Sequence, residues 1–136
     1  MKQKMKKVNL EKNVYQAMLE RLHFIFQEFD NIYISFSGGK DSGLLLNIVL
    51  DFRDQYYPSQ TIGVFHQDFE AQYSATTAYV EETFQMLEKR SSVELYWVCL
   101  PMATRTALSS YEMYWYPWDE KKMKISGFVL CQNMIM

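Results

Sequence analysis

The chain has 136 residues, 49% of them hydrophobic and 22% charged, and its formal net charge is −2. This size and composition predict a single globular domain spanning residues 1–136, and the charge argues against a protein whose main task is to cover nucleic acid. No stretch approaches the roughly 18 apolar residues of a membrane span, and no apolar signal region follows the basic start. We therefore expect a cytoplasmic protein without a membrane contact.

Helices and strands alternate along the chain, as judged from apolar spacing, β-branched and aromatic content, and turn residues. The predicted elements are a helix capped by Asn9 and ending near Asp30, a strand at 31–37, a helix at 41–54, a strand at 61–66, a helix capped by Ser74, and a strand at 93–100. The helix at 41–54 is apolar almost all round, which predicts tight packing against a sheet. The pattern indicates the α/β class: a Rossmann-like three-layer α/β/α sandwich with a mostly parallel sheet.

Small polar residues interrupt the apolar sequence between the first strand and the second helix. They are Ser37, Gly38, Gly39, Lys40, Asp41 and Ser42. A helix that starts at the carboxyl end of a parallel strand presents unpaired amides and a positive dipole end, which favour an anion. Glycines allow close approach of the backbone, serines donate hydrogen bonds and lysine adds a charge. The sequence predicts a phosphate-binding loop.

Two familiar phosphate-binding patterns do not fit this loop. A Walker A loop requires glycine where Ile34 stands, and Ser or Thr where Asp41 stands. The dinucleotide pattern GxGxxG is absent as well.

The run SGGKDS, placed between a strand and a helix, resembles the pyrophosphate loop (PP-loop) of the ATP pyrophosphatase superfamily, whose fold is adenine nucleotide alpha-hydrolase-like. Within it, residues 9–122 most resemble the phosphoadenosine phosphosulfate reductase-like family, through GVFHQDFEAQY and YWYPWD in addition to the loop. The resemblance implies that residues 37–42 bind ATP with Mg²⁺. It also implies attack at the α-phosphorus, an adenylylated product and release of pyrophosphate.

The resemblance also implies roles for single residues. Lys40 and Asp41 are the candidate catalytic residues, with Asp41 either holding Mg²⁺ or capping the helix. Phe65 and His66 end the second strand near the expected adenine position, where such folds use backbone groups.

Two carboxylates follow that second strand. Asp68 and Glu70 come after it at the same sheet edge as the loop, if the sheet is parallel. They are candidates to bind ribose or a metal ion, or else they are solvated loop carboxylates.

The cysteines do not support reduction of a sulfonucleotide. The reductases that the chain resembles carry a nucleophilic cysteine in a Glu-Cys-Gly-type motif, whereas Cys131 stands in VLCQNM. Cys99 lies on a predicted strand and is expected to be a small buried residue. Two widely spaced cysteines form neither a CxxC pair nor a disulfide framework, which favours a reducing compartment.

The end of the chain leaves several interpretations open. The aromatic residues between Tyr111 and Trp118 are suited to stack on a base, to anchor a protein partner, or to cover a sheet edge. Residues 125–136 carry no charge and are either a last strand or the sign of a domain cut short at its C-terminus. Two functions follow: an ATP-dependent adenylyl-transferring enzyme, or a non-catalytic nucleotide sensor that binds a partner protein or nucleic acid.

Overall fold

The computed structural model describes residues 11–105 and 110–119. Its elements are α1 (Val14–Glu28), β1 (Ile32–Ser35), α2 (Lys40–Tyr56), β2 (Ile62–Gln67), α3 (Ser74–Leu87), β3 (Val93–Val98), β4 (Thr104–Arg105) and β5 (Tyr114–Trp115). The chain divides into a first compact unit up to Asp30, which contains α1, and a second from Asn31 onward. The mixed α/β class is confirmed, while the atypical tail at 125–136 lies outside the described residues.

A reciprocal capping box starts α1. The side chain of Asn13 accepts a hydrogen bond from the backbone N–H of Gln16 at 2.8 Å, and the side chain of Gln16 accepts one from the N–H of Asn13 at 3.1 Å. The prediction that Asn9 caps this helix was wrong, because only Asn13 has a glutamine three residues later to complete the box. Leu22 and Phe26 are the buried residues of the helix.

Three parallel strands form the sheet, in the order β1-β2-β3. Ser35 pairs with Phe65 and Phe65 with Tyr96, so the three strands end close to one another at the same edge. The prediction of a parallel sheet is thus confirmed for these strands. The short β4 and β5 form a separate antiparallel pair.

Both α2 and α3 pack on one face of this sheet. That face carries Phe36 and His66, which are 1% exposed. The Phe36 ring lies 5.9 Å from the ring of Tyr79 in α3, and it also borders Gly43 of α2. Tyr33 and Tyr96, on the opposite face, remain partly exposed and their rings lie 5.6 Å apart. The sheet with helices on one face accounts for two layers, and the third layer stays a prediction.

The second helix is buried on one side rather than all round. Its buried apolar residues are Leu46, Val49, Leu50 and Phe52. Leu44 and Leu45 are 62% and 43% exposed, so the apolar residues that surround the helix in sequence are not all buried. The reason is that only one side of a helix can lie against a sheet. The cap of α3 also differs from its prediction, since Tyr73 rather than Ser74 occupies that position and no side chain caps the helix.

A buried arginine ties the end of α2 to the turn before β2. Arg53, which is 8% exposed, donates from Nε to the carbonyl of Gln60 at 2.6 Å and from Nη2 to the carbonyl of Pro58. Its Nη1 donates to Asp54 at 2.8 Å, and Arg90 donates to the other oxygen of Asp54 at 2.5 Å. The network therefore fixes the point at which the chain enters β2.

No helix in the described ranges is both long and apolar enough to cross a bilayer.

Replacing Arg53 by lysine tests this network. An ammonium group cannot reproduce the planar fork that reaches both carbonyls, so we expect Arg53→Lys to lower the free energy of unfolding by about 1–3 kcal/mol. Urea denaturation measures the change. The matched variant Arg21→Lys, at an exposed position of α1, should stay within roughly 0.5 kcal/mol of the unaltered chain. Equal effects at the two positions would contradict the role given to Arg53.

The same network makes part of the stability dependent on acid. The pKa of Asp54 lies below its ordinary value of 3.8, mainly through the hydrogen bond from Arg53. Burial, the next largest effect, opposes this shift, and the charges of Arg90 and Arg53 lower the pKa further. A carboxyl group with a lowered folded-state pKa stabilises the fold above its ordinary pKa and loses that contribution as the pH falls through the lowered value.

Asp54→Asn should therefore show a shallower loss of stability than the unaltered chain below about pH 4. Urea unfolding across an acid pH series measures this difference. The exposed variant Asp51→Asn serves as the control and should keep the original slope. An unchanged slope in Asp54→Asn would show that another group causes the acid sensitivity.

Candidate functional site

The predicted phosphate-binding loop lies between the end of β1 and the first turn of α2. β1 ends at Ser35 and α2 begins at Lys40, so the SGGKDS residues fill the strand-to-helix turn and the helix start. Gly39 is the N-cap residue of α2, and no side chain caps the first turn. Amides in the first turn of a helix have no intrahelical acceptor, and the helix dipole adds positive potential there. This position is therefore suited to an anion.

The two serines of the loop bond to each other and to the loop backbone. Their Oγ atoms lie 3.0 Å apart, and the Oγ of Ser42 donates to the carbonyl of Gly39 at 2.9 Å. The backbone N–H of Ser37 donates to the Oγ of Ser42 at 3.3 Å, and that of Gly39 to the Oγ of Ser37 at 3.4 Å. The serines, predicted as donors to phosphate, thus also determine the shape of the loop.

Gly38 is the tightest point of the loop. Its φ of +77° is a conformation that residues with a Cβ rarely adopt. A Cβ there would lie 2.7 Å from Cγ2 of Val80 and 2.9 Å from Cγ2 of Thr76, both in α3. The loop is therefore packed against a helix that lies about 40 residues further along the chain, a contact that the sequence did not reveal.

Lys40 and Asp41, the two candidate catalytic residues, are both exposed in the first turn of α2. Asp41 lies inside the helix, while Gly39 holds the cap position, so Asp41 interacts with the helix dipole rather than acting as the N-cap. Within the described ranges no group of three or more His, Cys, Asp or Glu side chains is arranged to hold a metal ion. Mg²⁺ commonly binds through one or two carboxylates together with substrate phosphates, and Asp41 fits that mode.

His66 lies inside the core beneath the loop. Its Nδ1 is 2.8 Å from the carbonyl oxygen of Phe36, the residue that precedes the loop. Its ring makes edge contacts with Trp97 and Phe84, at centroid distances of 4.8 and 6.3 Å. The imidazole therefore supports the start of the loop. The neighbouring Phe65 is half-buried, and contact of either residue with adenine stays a prediction.

Asp68 and Glu70 both form hydrogen bonds to tryptophans, and Asp68 is half-buried whereas Glu70 remains exposed. The carboxylate of Asp68 accepts from Nε1 of Trp97 at 3.0 Å and from the backbone N–H of Glu70 at 2.7 Å. Glu70, at a φ of +62°, accepts from the N–H of Trp118 at 3.0 Å, and Nε1 of Trp118 donates to the carbonyl of Asp68 at 2.9 Å. Both acidic residues lie beyond the end of β2, at the edge that carries the loop, as predicted.

These bonds bring the aromatic segment, residues 110–119, to the same edge. Pro117 is fully buried and Trp118 is half-buried, whereas Tyr111, Tyr114 and Tyr116 are exposed. The sequence singled out this segment by its composition, but no sequence pattern linked it to Asp68 or Glu70.

Cys99 follows the last residue of β3 and is half-buried. The prediction that it lies on the strand as a buried residue was therefore wrong, because the strand ends at Val98. The other cysteine, Cys131, lies outside the described residues.

Comparison with known proteins gives a relative without an assigned activity. The chain is 36% identical, over 113 residues, to the uncharacterized protein YbdN of Escherichia coli strain K12. The matched region covers 83% of this chain and 27% of YbdN, so the chain spans about a quarter of the length of that relative. No family model matches the chain, and neither does any solved structure.

The contrast between the two loop glycines provides a test of the geometry. Gly38→Ala combines a positive φ with two side-chain clashes and should lower the free energy of unfolding by roughly 2–4 kcal/mol. At Gly39 the nearest atom to an added Cβ is Oγ of Ser37 at 3.4 Å, so Gly39→Ala should be tolerated far better. Thermal and urea unfolding of the two variants measure the difference. Equal losses would mean that the loop is not packed against α3 as described.

Proposed function

We propose that the protein binds ATP through the loop at residues 37–42 and catalyses displacement at the α-phosphorus, which transfers AMP to an acceptor and releases pyrophosphate. The observation that carries the proposal is the placement of SGGKDS between a parallel strand and an uncapped helix start. In addition, the loop is folded by its own serines, so its backbone is shaped before any ligand arrives.

The main requirement of the proposed reaction is that the protein stabilises the charge on the leaving group. An oxygen of the acceptor forms a bond to the α-phosphorus while the bond to the bridging oxygen breaks, and the electron pair leaves with pyrophosphate. Negative charge therefore builds up on the leaving group. In this proposal the helix-start amides and the ammonium of Lys40 bind that charge, since fixed donors of this kind are an effective form of catalysis.

Asp41 is the residue that we propose as a ligand of the metal ion. Mg²⁺, when bound, neutralises phosphate charge and holds the polyphosphate in one orientation. The carboxylate of Asp41, exposed in the first turn of α2, is the residue of the loop that fits this ion. The serines keep the loop in the shape that brings Lys40 and Asp41 to the same turn.

A second function is favoured by the aromatic segment. Exposed tyrosines beside the loop are suited to contact a partner protein or nucleic acid, as aromatic residues often do at interfaces. In that case the loop senses ATP without turning it over. Retention of ATP in the presence of tight binding distinguishes this sensor from the enzyme.

Binding of ATP tests the proposal directly. Titration calorimetry with ATP and Mg²⁺ should detect binding that weakens roughly 10- to 100-fold in Lys40→Ala, since a hydrogen bond to a charged group contributes about 1.5–3 kcal/mol. Lys89→Ala is the matched control, because Lys89 is exposed after α3, at the opposite end of the strands. Its affinity for ATP should equal that of the unaltered chain.

Turnover is measured in the same preparations with α-labelled ATP and a cell extract as the source of acceptor. Labelled AMP or an adenylylated product that disappears in Lys40→Ala supports the enzyme. Intact ATP with Lys40-dependent binding selects the sensor instead. Failure of the unaltered chain to bind ATP would contradict both functions.

A further inference from the structure

Four hydrogen bonds join the end of β2, β3 and the aromatic segment into one unit, which we call the tryptophan clamp: Asp68, Glu70, Trp97 and Trp118. Asp68 accepts from both tryptophans and from the backbone N–H of Glu70, and Glu70 accepts from Trp118. The indole of Trp118 is held through Nε1 while its own backbone N–H is held by Glu70. Because hydrogen bonds hold both its backbone and its side chain, the half-buried indole ring of Trp118 has a fixed orientation.

The clamp lies beside the phosphate-binding loop. The N–H of Phe36 donates to the carbonyl of Phe65 at 2.8 Å, so β1 and β2 remain paired up to the first residue of the loop. Neighbouring strands are about 4.8 Å apart, and Asp68 follows β2 by one residue. The loop and the clamp are therefore adjacent along the same sheet edge.

The charges at this edge differ from one side to the other. On the β1 side, Lys40 and the amides at the start of α2 offer positive groups beside the carboxylate of Asp41, whereas on the β2 side Asp68 and Glu70 offer two carboxylates. A polyphosphate is attracted to the first and repelled by the second. An uncharged aromatic base is not repelled by carboxylates and gains free energy by stacking on an aromatic ring, so it suits the second side.

From this juxtaposition we propose that Trp118, positioned by Asp68 and Glu70, is a specificity-determining residue that stacks on the base of the bound nucleotide. The inference rests on the proposed function, since it assigns the nucleoside half of a ligand whose phosphates occupy the loop. It makes the ligand a nucleoside triphosphate rather than an inorganic polyphosphate. It also gives Asp68 and Glu70 a positioning role in place of a direct contact with ribose or metal.

The test compares ATP with inorganic tripolyphosphate, which carries the same kind of phosphate chain without a base. Calorimetric titrations use the full chain with Mg²⁺ present. Trp118→Ala should weaken ATP binding about tenfold and leave tripolyphosphate binding within about twofold. Trp118→Phe keeps a stacking ring but removes the Nε1 donor, and it should retain more ATP affinity than Trp118→Ala.

Two variants act as controls for this comparison. Lys40→Ala should weaken both ligands, because both use the loop. Tyr111→Ala, at an almost fully exposed position of the same aromatic segment, should weaken neither. Preserved tripolyphosphate binding in Trp118→Ala also shows that this variant is folded at the loop.

The outcomes separate the two proposals. If Trp118→Ala weakens both ligands equally or neither of them, the stacking role is overturned, while Lys40-dependent binding leaves the proposed function standing. Equal losses in Trp118→Phe and Trp118→Ala would reduce the indole to a structural anchor and overturn the role as well. If the unaltered chain binds neither ligand, the proposed function fails and this inference fails with it.

Discussion

The pairing of Phe36 with β2 is the interaction on which the site depends. Its N–H donates to the carbonyl of Phe65, and its own carbonyl is hydrogen-bonded to Nδ1 of His66. Because Phe36 is also buried, both of its backbone polar groups need partners, and an unsatisfied buried group costs about 1–3 kcal/mol. β2 provides both partners. The last residue before the loop is thus fixed in position, and everything from Ser37 onward starts from a defined point.

Packing of the helices extends this constraint through the loop. α2 and α3 cover the same sheet face, which brings Val80 and Thr76 of α3 against Gly38. Three elements, β1, α2 and α3, therefore enclose the turn. The helix start and its amides keep their direction because the turn has no room to relax, since protein interiors are close-packed. The tryptophan clamp extends the same edge toward β3 through Asp68 and Trp97.

Local sequence predicted the kind and order of the main elements, because apolar spacing and turn residues act over short distances. It predicted the loop for the same reason. Strand alternation also indicates that His66 is buried, because it shares its sheet face with the buried Ile62 and Val64. This indication is stronger than the one from its nearness to the expected adenine position. The choice of Asn13 over Asn9 depended on one glutamine. The hydrogen bond between Trp118 and Asp68 spans 50 residues, and no local pattern encodes a contact over that separation.

The hydrogen bond between Ser37 and Ser42 has a thermodynamic consequence for any ligand of the loop. A flexible turn must be ordered when its ligand arrives, and the lost conformational freedom subtracts from affinity. Here hydrogen bonds between the two hydroxyl groups, and from Ser42 to the carbonyl of Gly39, restrict that freedom within the loop itself. A ligand that hydrogen-bonds to a serine hydroxyl replaces a bond that the hydroxyl already makes, so its net gain is small. Selectivity among anionic ligands would therefore depend on the backbone amides and the charge of Lys40.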